Sequence, residues 1–211
     1  MRAEEYNKKQ MDSGLLGVRE ITEMVRVYQA KHDLSVDGMC GPKTLGLLAP
    51  DDELSSNFGL RMLEEARRTI GCGETEGNNR GPFIEMLFGK ENASGAWCAA
   101  AVSYWARKAA EAFGVDMPFK QSFGAKRLYK NVIDSNKRVA EPRPGDVVCW
   151  HRSSNPGSWM GHIGIVSDYS PGSGIFTTIE GNKGRYPAKV REFQHDIDEP
   201  MLMGFARPPS V

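Results

Sequence analysis

Apolar residues recur along this chain with two different periods, and the change from one to the other divides it. Over 19–32, REITEMVRVYQAKH repeats at Ile21, Met24, Val25 and Tyr28, the three-to-four spacing of an amphipathic helix. Asp37-Gly38 signals a turn, Gly41-Pro42 opens a second short helix carrying Leu45, Leu47 and Leu48, and Pro50 ends it. The polar run APDDELSSN reads as a linker, which sets the boundaries 1–50, 51–58 and 59–211. Beyond it, Leu60, Leu63, Ala66 and Ile70 mark one face of a helix over 58–70 that Gly71 stops. A short helix with Pro82 near its start and Gly89 at its end comes next, then a longer one from Cys98 to about Ala112. QSFGAKRLYKNV is expected to be helical in part.

After EPRPGD the period falls to two. DVVCWH, HIGIVSDY, IFTTIEG, KVREFQH and LMGFAR are short, β-rich and separated by Gly, Pro, Ser and Asn. Helices followed by consecutive strands predict an α+β domain with an antiparallel sheet, preceded by a small all-α domain.

Charge narrows the partners. Lys+Arg and Asp+Glu both number 27 in 211 residues, and residues 1–50 hold seven of each. No basic field points to nucleic acid or to an anionic membrane. The start, MRAEEYNKKQMDSGLL, has no apolar core of a secretory signal, so synthesis in a cytoplasm is expected. No apolar run approaches the roughly 18 residues of a membrane-spanning helix. Four cysteines without a C-x-x-C spacing predict free thiols and no structural zinc. No aspartate-rich calcium loop precedes the strands, so neither a metal nor a cofactor is expected.

Two thiols compete for a chemical role. Cys98 falls in the first turn of its helix, where unpaired N–H groups and the positive dipole end favour a thiolate. Cys98, Val102, Trp105 and Ala109 share one helix face, so docking of that face sets where the sulfur points. Its base would be His162, which shares a strand face with Gly164 and Val166. Gly161 and Gly164 are expected to leave the imidazole open to a substrate. On the next strand Phe176, Thr178 and Glu180 share a face, with Asn182 if the strand stays extended. Glu180 would then orient His162, and the Asn182 amide would serve the base or an oxyanion. The rival is Cys149 with His151, two residues apart on one strand face but without a helix dipole. Cys40 and Cys72 read as incidental, His32 as a helix-end residue and His195 as solvated. In the polar turn EGNNRGP, Asn79 and Arg80 are candidates for lining the cleft near Cys98, with Trp97 as a further substrate contact.

Four blocks, GAWCAAAVSYWARKAA, PRPGDVVCW, GHIGIVSDY and TTIEGN, resemble in order and spacing the CHAP family. These are the cysteine- and histidine-dependent amidohydrolases/peptidases of phage endolysins and bacterial autolysins. The resemblance covers roughly 59–208. It implies a papain-like α+β fold, Cys98 as nucleophile, His162 as base, and Glu180 and Asn182 as orienting residues. It also implies peptidoglycan as the substrate, cut either at the N-acetylmuramoyl-L-alanine amide or at a stem or cross-bridge peptide bond. VRVYQAKHDLSVDGMCGPKTLGLL resembles the three-helix peptidoglycan-binding module through its YQ, L-x-V-D-G and G-P-K-T-x-x-x-L elements. The expectation is a monomeric endolysin made in the host bacterial cytoplasm, which reaches the wall once the membrane is permeabilised. A catalytically inactive wall-binding protein and an antibacterial effector amidase are the alternatives.

Overall fold

The computed structural model describes residues 13–14, 17–31, 34–39, 44 and 57–210. The chain divides into two units, Met1–Ser55 and Ser56–Val211. Apart from Thr44, which is helical, the second helix expected from Gly41 lies outside the described residues, as do most of the expected linker, His32 and Cys40.

In the first unit, α1 (Val18–Lys31) buries Val25 and Gln29, whereas Ile21 and Met24 are exposed. Gln29, the buried polar residue, organises the turn after the helix. Its amide nitrogen lies 2.8 Å from Asp37 Oδ1, 3.0 Å from the Met39 carbonyl and 3.0 Å from Thr44 Oγ1. Its Oε1 accepts from the Gly38 N–H at 2.8 Å. A side-chain amide with two donors and one acceptor thus pins the Asp37-Gly38 turn to the helix. Gly38 adopts φ +74°, the left-handed conformation such a turn needs.

The second unit begins with α2 (Phe58–Arg68), capped by the Asn57 side chain, which accepts from the Leu60 N–H at 3.1 Å. Its buried stripe is Phe58, Met62, Leu63 and Ala66, which contains the expected Leu63 and Ala66, with the expected Leu60 half-buried against the core; Ile70 lies past the helix end and is exposed. Thr69 ends the helix and accepts the Trp105 indole N–H at 3.0 Å, which ties α2 to the longer helix. The short helix α3 (Pro82–Phe88) starts on Pro82 and ends on Gly89 in the left-handed region, as proline and glycine at those ends require. The long helix α4 (Cys98–Phe113) is buried nearly all round over its first three turns, because Ala99, Ala100, Ala101 and Ala106 allow close approach on every side. Finally, α5 (Ala125–Ser135) buries Ala125, Leu128, Tyr129 and Val132.

Six strands form one antiparallel sheet in the order β1-β6-β2-β3-β4-β5: β1 (Lys137–Val139), β2 (Val147–His151), β3 (Gly161–Tyr169), β4 (Ile175–Glu180), β5 (Arg191–Asp196) and β6 (Leu202–Arg207). The α+β architecture matches the expectation. The sequence pattern missed β1, a three-residue, largely exposed edge strand with two basic residues and no apolar alternation. Alternation decides what each face carries. Val147, Cys149, Ile163, Ile165 and Ile179 pack with the helices, whereas Val148, Trp150, Val166, Phe176 and Phe205 form a second cluster on the opposite face. His162 pairs with Trp150 across β2 and β3 and so belongs to this second face.

Candidate active site

The cysteine comes from α4 and the histidine from β3. Trp97 caps α4 through its backbone, accepting from the Ala101 N–H at 2.9 Å, and no side chain caps the helix. The N–H groups of the first turn therefore stay available to an anion. Cys98 is 5% exposed and lies beside His162, which is placed to hydrogen-bond its thiolate form. Burial raises its pKa, but that is outweighed by the hydrogen bond to His162, the charges of His162 and Arg152, and the Ala99 N–H. The thiol ends below its ordinary value of 9.0. For His162, burial lowers the pKa, but the hydrogen bonds and charges of Cys98 and Glu180 outweigh it, giving a net rise above 6.5.

Glu180 holds the other side of the ring. The β3–β4 register pairs Ile165 with Ile179, so one more step sets Glu180 opposite Gly164 and diagonal to His162. A Cβ at Gly164 would lie 2.7 Å from Glu180 Cγ and 3.0 Å from the Ile179 carbonyl. Glycine is needed there to let the acid cross to the imidazole, not to open the ring to substrate; His162 is itself buried. Nor does Gly161 open a path, since its Cβ would meet Lys126 Cγ at 2.8 Å.

Protonation is set by the partners. Arg152, an N–H donor only, donates to His162 Nδ1 at 2.8 Å, so Nδ1 carries the lone pair. The other nitrogen, Nε2, donates its proton to Glu180 Oε2 at 2.5 Å. Glu180 Oε1 accepts from Thr178 Oγ1 at 2.7 Å, His195 Nε2 at 2.6 Å and Lys183 Nζ at 3.0 Å. Burial raises this carboxyl, but the hydrogen bonds of His162 and His195 and the charges of His162 and Lys183 hold it far below the usual carboxylate range.

His195 is accordingly a correction: it is buried, with one ring nitrogen on Glu180 and the other 2.8 Å from Glu199 Oε1. Glu199 also accepts the Trp150 indole N–H at 2.9 Å. The sequence pattern gave no signal for this layer, whose members come from β2, β4, β5 and the turn before β6. The one local clue was that alternation along β5 turns His195 to the same face as Phe193 and Arg191.

The remaining candidates divide. Asn182 lies past the end of β4, in the left-handed conformation at φ +56°, so strand alternation does not reach it. Its carbonyl, rather than its amide, is engaged, accepting from Arg152 at 3.3 Å. Trp97 is fully buried and is corrected from substrate contact to structural anchor: its indole donates to Glu74 Oε1 at 3.1 Å, and its ring meets Phe83 edge-on. Asn79 and Arg80 are likewise drawn elsewhere. The Asn79 N–H donates to the buried Glu74 at 2.9 Å, and Arg80 is exposed in a turn closed onto Thr75 and Gly77. Glu74 also accepts the Ala188 N–H at 2.8 Å, so EGNNRGP wraps an internal carboxylate.

The rival thiol is inert by environment. Cys149 is fully buried, its sulfur 3.6 Å from Met203 Sδ, and its pKa is raised to about 12 by burial together with the charge of Cys98. Among the described residues no group of three or more His, Cys, Asp or Glu side chains is placed to hold a metal ion.

Residues 90–182 match the CHAP domain family, a span that begins shortly before Cys98 and ends on Asn182. Among solved structures, the chain is similar to a protein from Staphylococcus aureus subsp. aureus Mu50 described as similar to lipoprotein, NLP/P60 family. Identity is 15% and the TM-score 0.39, over 78% of this chain and 47% of that one. The chain thus spans about half the length of that protein. No curated protein matches it.

Proposed function

We propose that this protein is a cysteine-dependent peptidoglycan hydrolase of the endolysin kind. Residues 59–211 cut an amide of the wall peptide, and residues 1–50 hold the wall. The observation that carries the reading is the buried chain Cys98–His162–Glu180 at an uncapped helix N-terminus, inside the span that matches the CHAP domain. A lone packed cysteine needs no such chain; a nucleophile needs both of its partners.

In the proposed reaction the Cys98 proton passes to His162 Nδ1 and the sulfur attacks the amide carbonyl. Glu180 keeps Nε2–H in place and stabilises the imidazolium. The tetrahedral oxyanion faces the free N–H groups of the first turn of α4. The imidazolium then protonates the departing amine, and water delivered by the same ring hydrolyses the thioester. Asn182 contributes through its carbonyl, which places the Arg152 guanidinium. The enzyme acts as a monomer, without a metal or cofactor. It accumulates in the host cytoplasm and meets its substrate when the membrane is breached.

Mass spectrometry of purified sacculi digested by the wild-type protein and by Cys98→Ala tests this and identifies the bond. New amine and carboxyl ends should appear at one amide with the wild type and be absent with the variant. Intact sacculi in both samples overturn the reading. EDTA should leave the digestion unchanged, and residues 1–50 should co-sediment with sacculi.

A further inference from the structure

Arg152 occupies the position that the reaction needs empty. Its guanidinium donates to Nδ1 of His162, the same lone pair that must receive the Cys98 proton. Once Nδ1 is protonated, the Arg152 N–H faces another N–H, and two cations stand in contact. The arginine's charge favours the Cys98 thiolate, but its N–H must leave Nδ1 before that nitrogen can take the proton.

The charge is unmatched in the structure. Among the described residues Arg152 is in no ion pair; its other bond is to the Asn182 carbonyl. The nearby carboxylates are committed elsewhere: Glu180 to His162, His195, Thr178 and Lys183, and Glu199 to His195 and Trp150. Arg152 is exposed, at the start of the loop that joins β2 to β3. With Lys183 and His162 it lines a pocket of about 310 Å³. A planar guanidinium beside open space prefers a carboxylate, which it binds by two parallel N–H···O bonds, over a single imidazole nitrogen.

We propose that Arg152 is the receptor for a substrate carboxylate next to the scissile amide, and that taking this carboxylate releases His162 Nδ1 to Cys98. An anionic substrate thereby both docks and completes the catalytic pair, whereas a neutral one leaves the arginine on the base. In a wall substrate the group is a free stem-peptide carboxylate, a choice that rests on the proposed peptidoglycan activity; the receptor itself does not.

Two probes separate the two. The first is alkylation of Cys98 by iodoacetate and by iodoacetamide, read at the Cys98 peptide by mass spectrometry. Both replace iodide by the sulfur and differ in one carboxylate. The iodoacetate-to-iodoacetamide rate ratio should fall about tenfold in Arg152→Gln and be largely kept in Arg152→Lys. An unchanged ratio in Arg152→Gln overturns the receptor. Arg152 is exposed and its side chain makes two hydrogen bonds, so loss of the guanidinium leaves the core intact, and an unchanged near-ultraviolet spectrum verifies this. The second probe is a pair of muropeptides, one with free stem carboxylates and one with them converted to carboxamides. Wild type should prefer the first in kcat/KM by about tenfold or more, and Arg152→Gln should lose the preference. Equal cleavage by the wild type overturns the receptor. An intact iodoacetate preference with cleavage of neither muropeptide supports the receptor and overturns the wall substrate.

Discussion

Cys98 and Cys149 are both buried thiols in one hydrophobic core, and their surroundings drive them in opposite directions. Cys149, inside β2, touches Met203 and the Trp150 carbonyl, neither of which takes up a proton or supplies positive charge. Cys98, at the first turn of α4, meets an imidazole, an arginine charge and a backbone N–H. Burial penalises both anions; only one is compensated. Two buried carboxylates repeat the lesson. Glu74 is satisfied by a backbone N–H from Asn79, another from Ala188 and the Trp97 indole, none of which titrates near neutral pH. Glu180 is satisfied largely by two histidines and a lysine. A base shared between the carboxylate and a thiol, His162, distinguishes the candidate site from the structural region.

The largest effect that could break this contrast is at Cys98 itself. Cys98→Ala should lower turnover at least about 10³-fold while leaving stability within about 1 kcal/mol, measured by muropeptide release and urea unfolding. Next is Glu180→Gln, expected to cost about 10²-fold in kcat. Because Glu180 helps to raise His162, its loss should move the acid limb of Cys98 alkylation to higher pH. In the wild type that reaction should persist below pH 9.0, where Cys149, its pKa raised to about 12, stays unreactive. For stability, the two shifts act in opposite directions. The lowered Glu180 carboxyl stabilises the fold above its ordinary value of 4.5 and loses this as pH falls through its folded value. The raised His162 contributes fully below 6.5 and loses its share as pH rises through its folded value. Their joint contribution is therefore complete between pH 4.5 and 6.5, and Glu180→Gln should flatten this plateau in thermal melts.

Gly164→Ala should cost about tenfold in kcat with little change in near-ultraviolet circular dichroism, since the new methyl displaces Glu180 from the imidazole. The smallest effect belongs to Cys149→Ala: activity within about twofold of wild type, and a stability loss of about 1 kcal/mol for the sulfur removed from the core. Loss of turnover in this variant with retention in Cys98→Ala would invert the comparison.

The sequence displayed the line from Cys98 through His162 to Glu180 because each step obeys a local rule. A helix start places the thiol, and period-two alternation places the histidine and the acid on one sheet face. Where a rule stopped early, the reading failed. The alternation ended at Glu180, so Asn182 turned away, and Trp97, beside the cysteine in sequence, points into the core. Glu74, His195 and Arg152 were illegible for a different reason. Their partners lie on other strands or across loops, and only tertiary packing brings a carboxylate in the turn before α3 to an indole and a backbone N–H over a hundred residues on. The short edge strand β1 has no pattern to read.

The Trp97 ring has a consequence beyond filling space. The residue that opens the Cys98 helix also packs against the turn leaving Glu180, so closely that a Cβ on Gly181 would fall 2.3 Å from Cζ3 of the indole. One rigid plate thus gauges the spacing between the thiol and the acid that serves its base. A smaller plate, as in Trp97→Phe, would leave every one of these groups in the chain and still loosen their alignment, because the two halves would lose their common ruler.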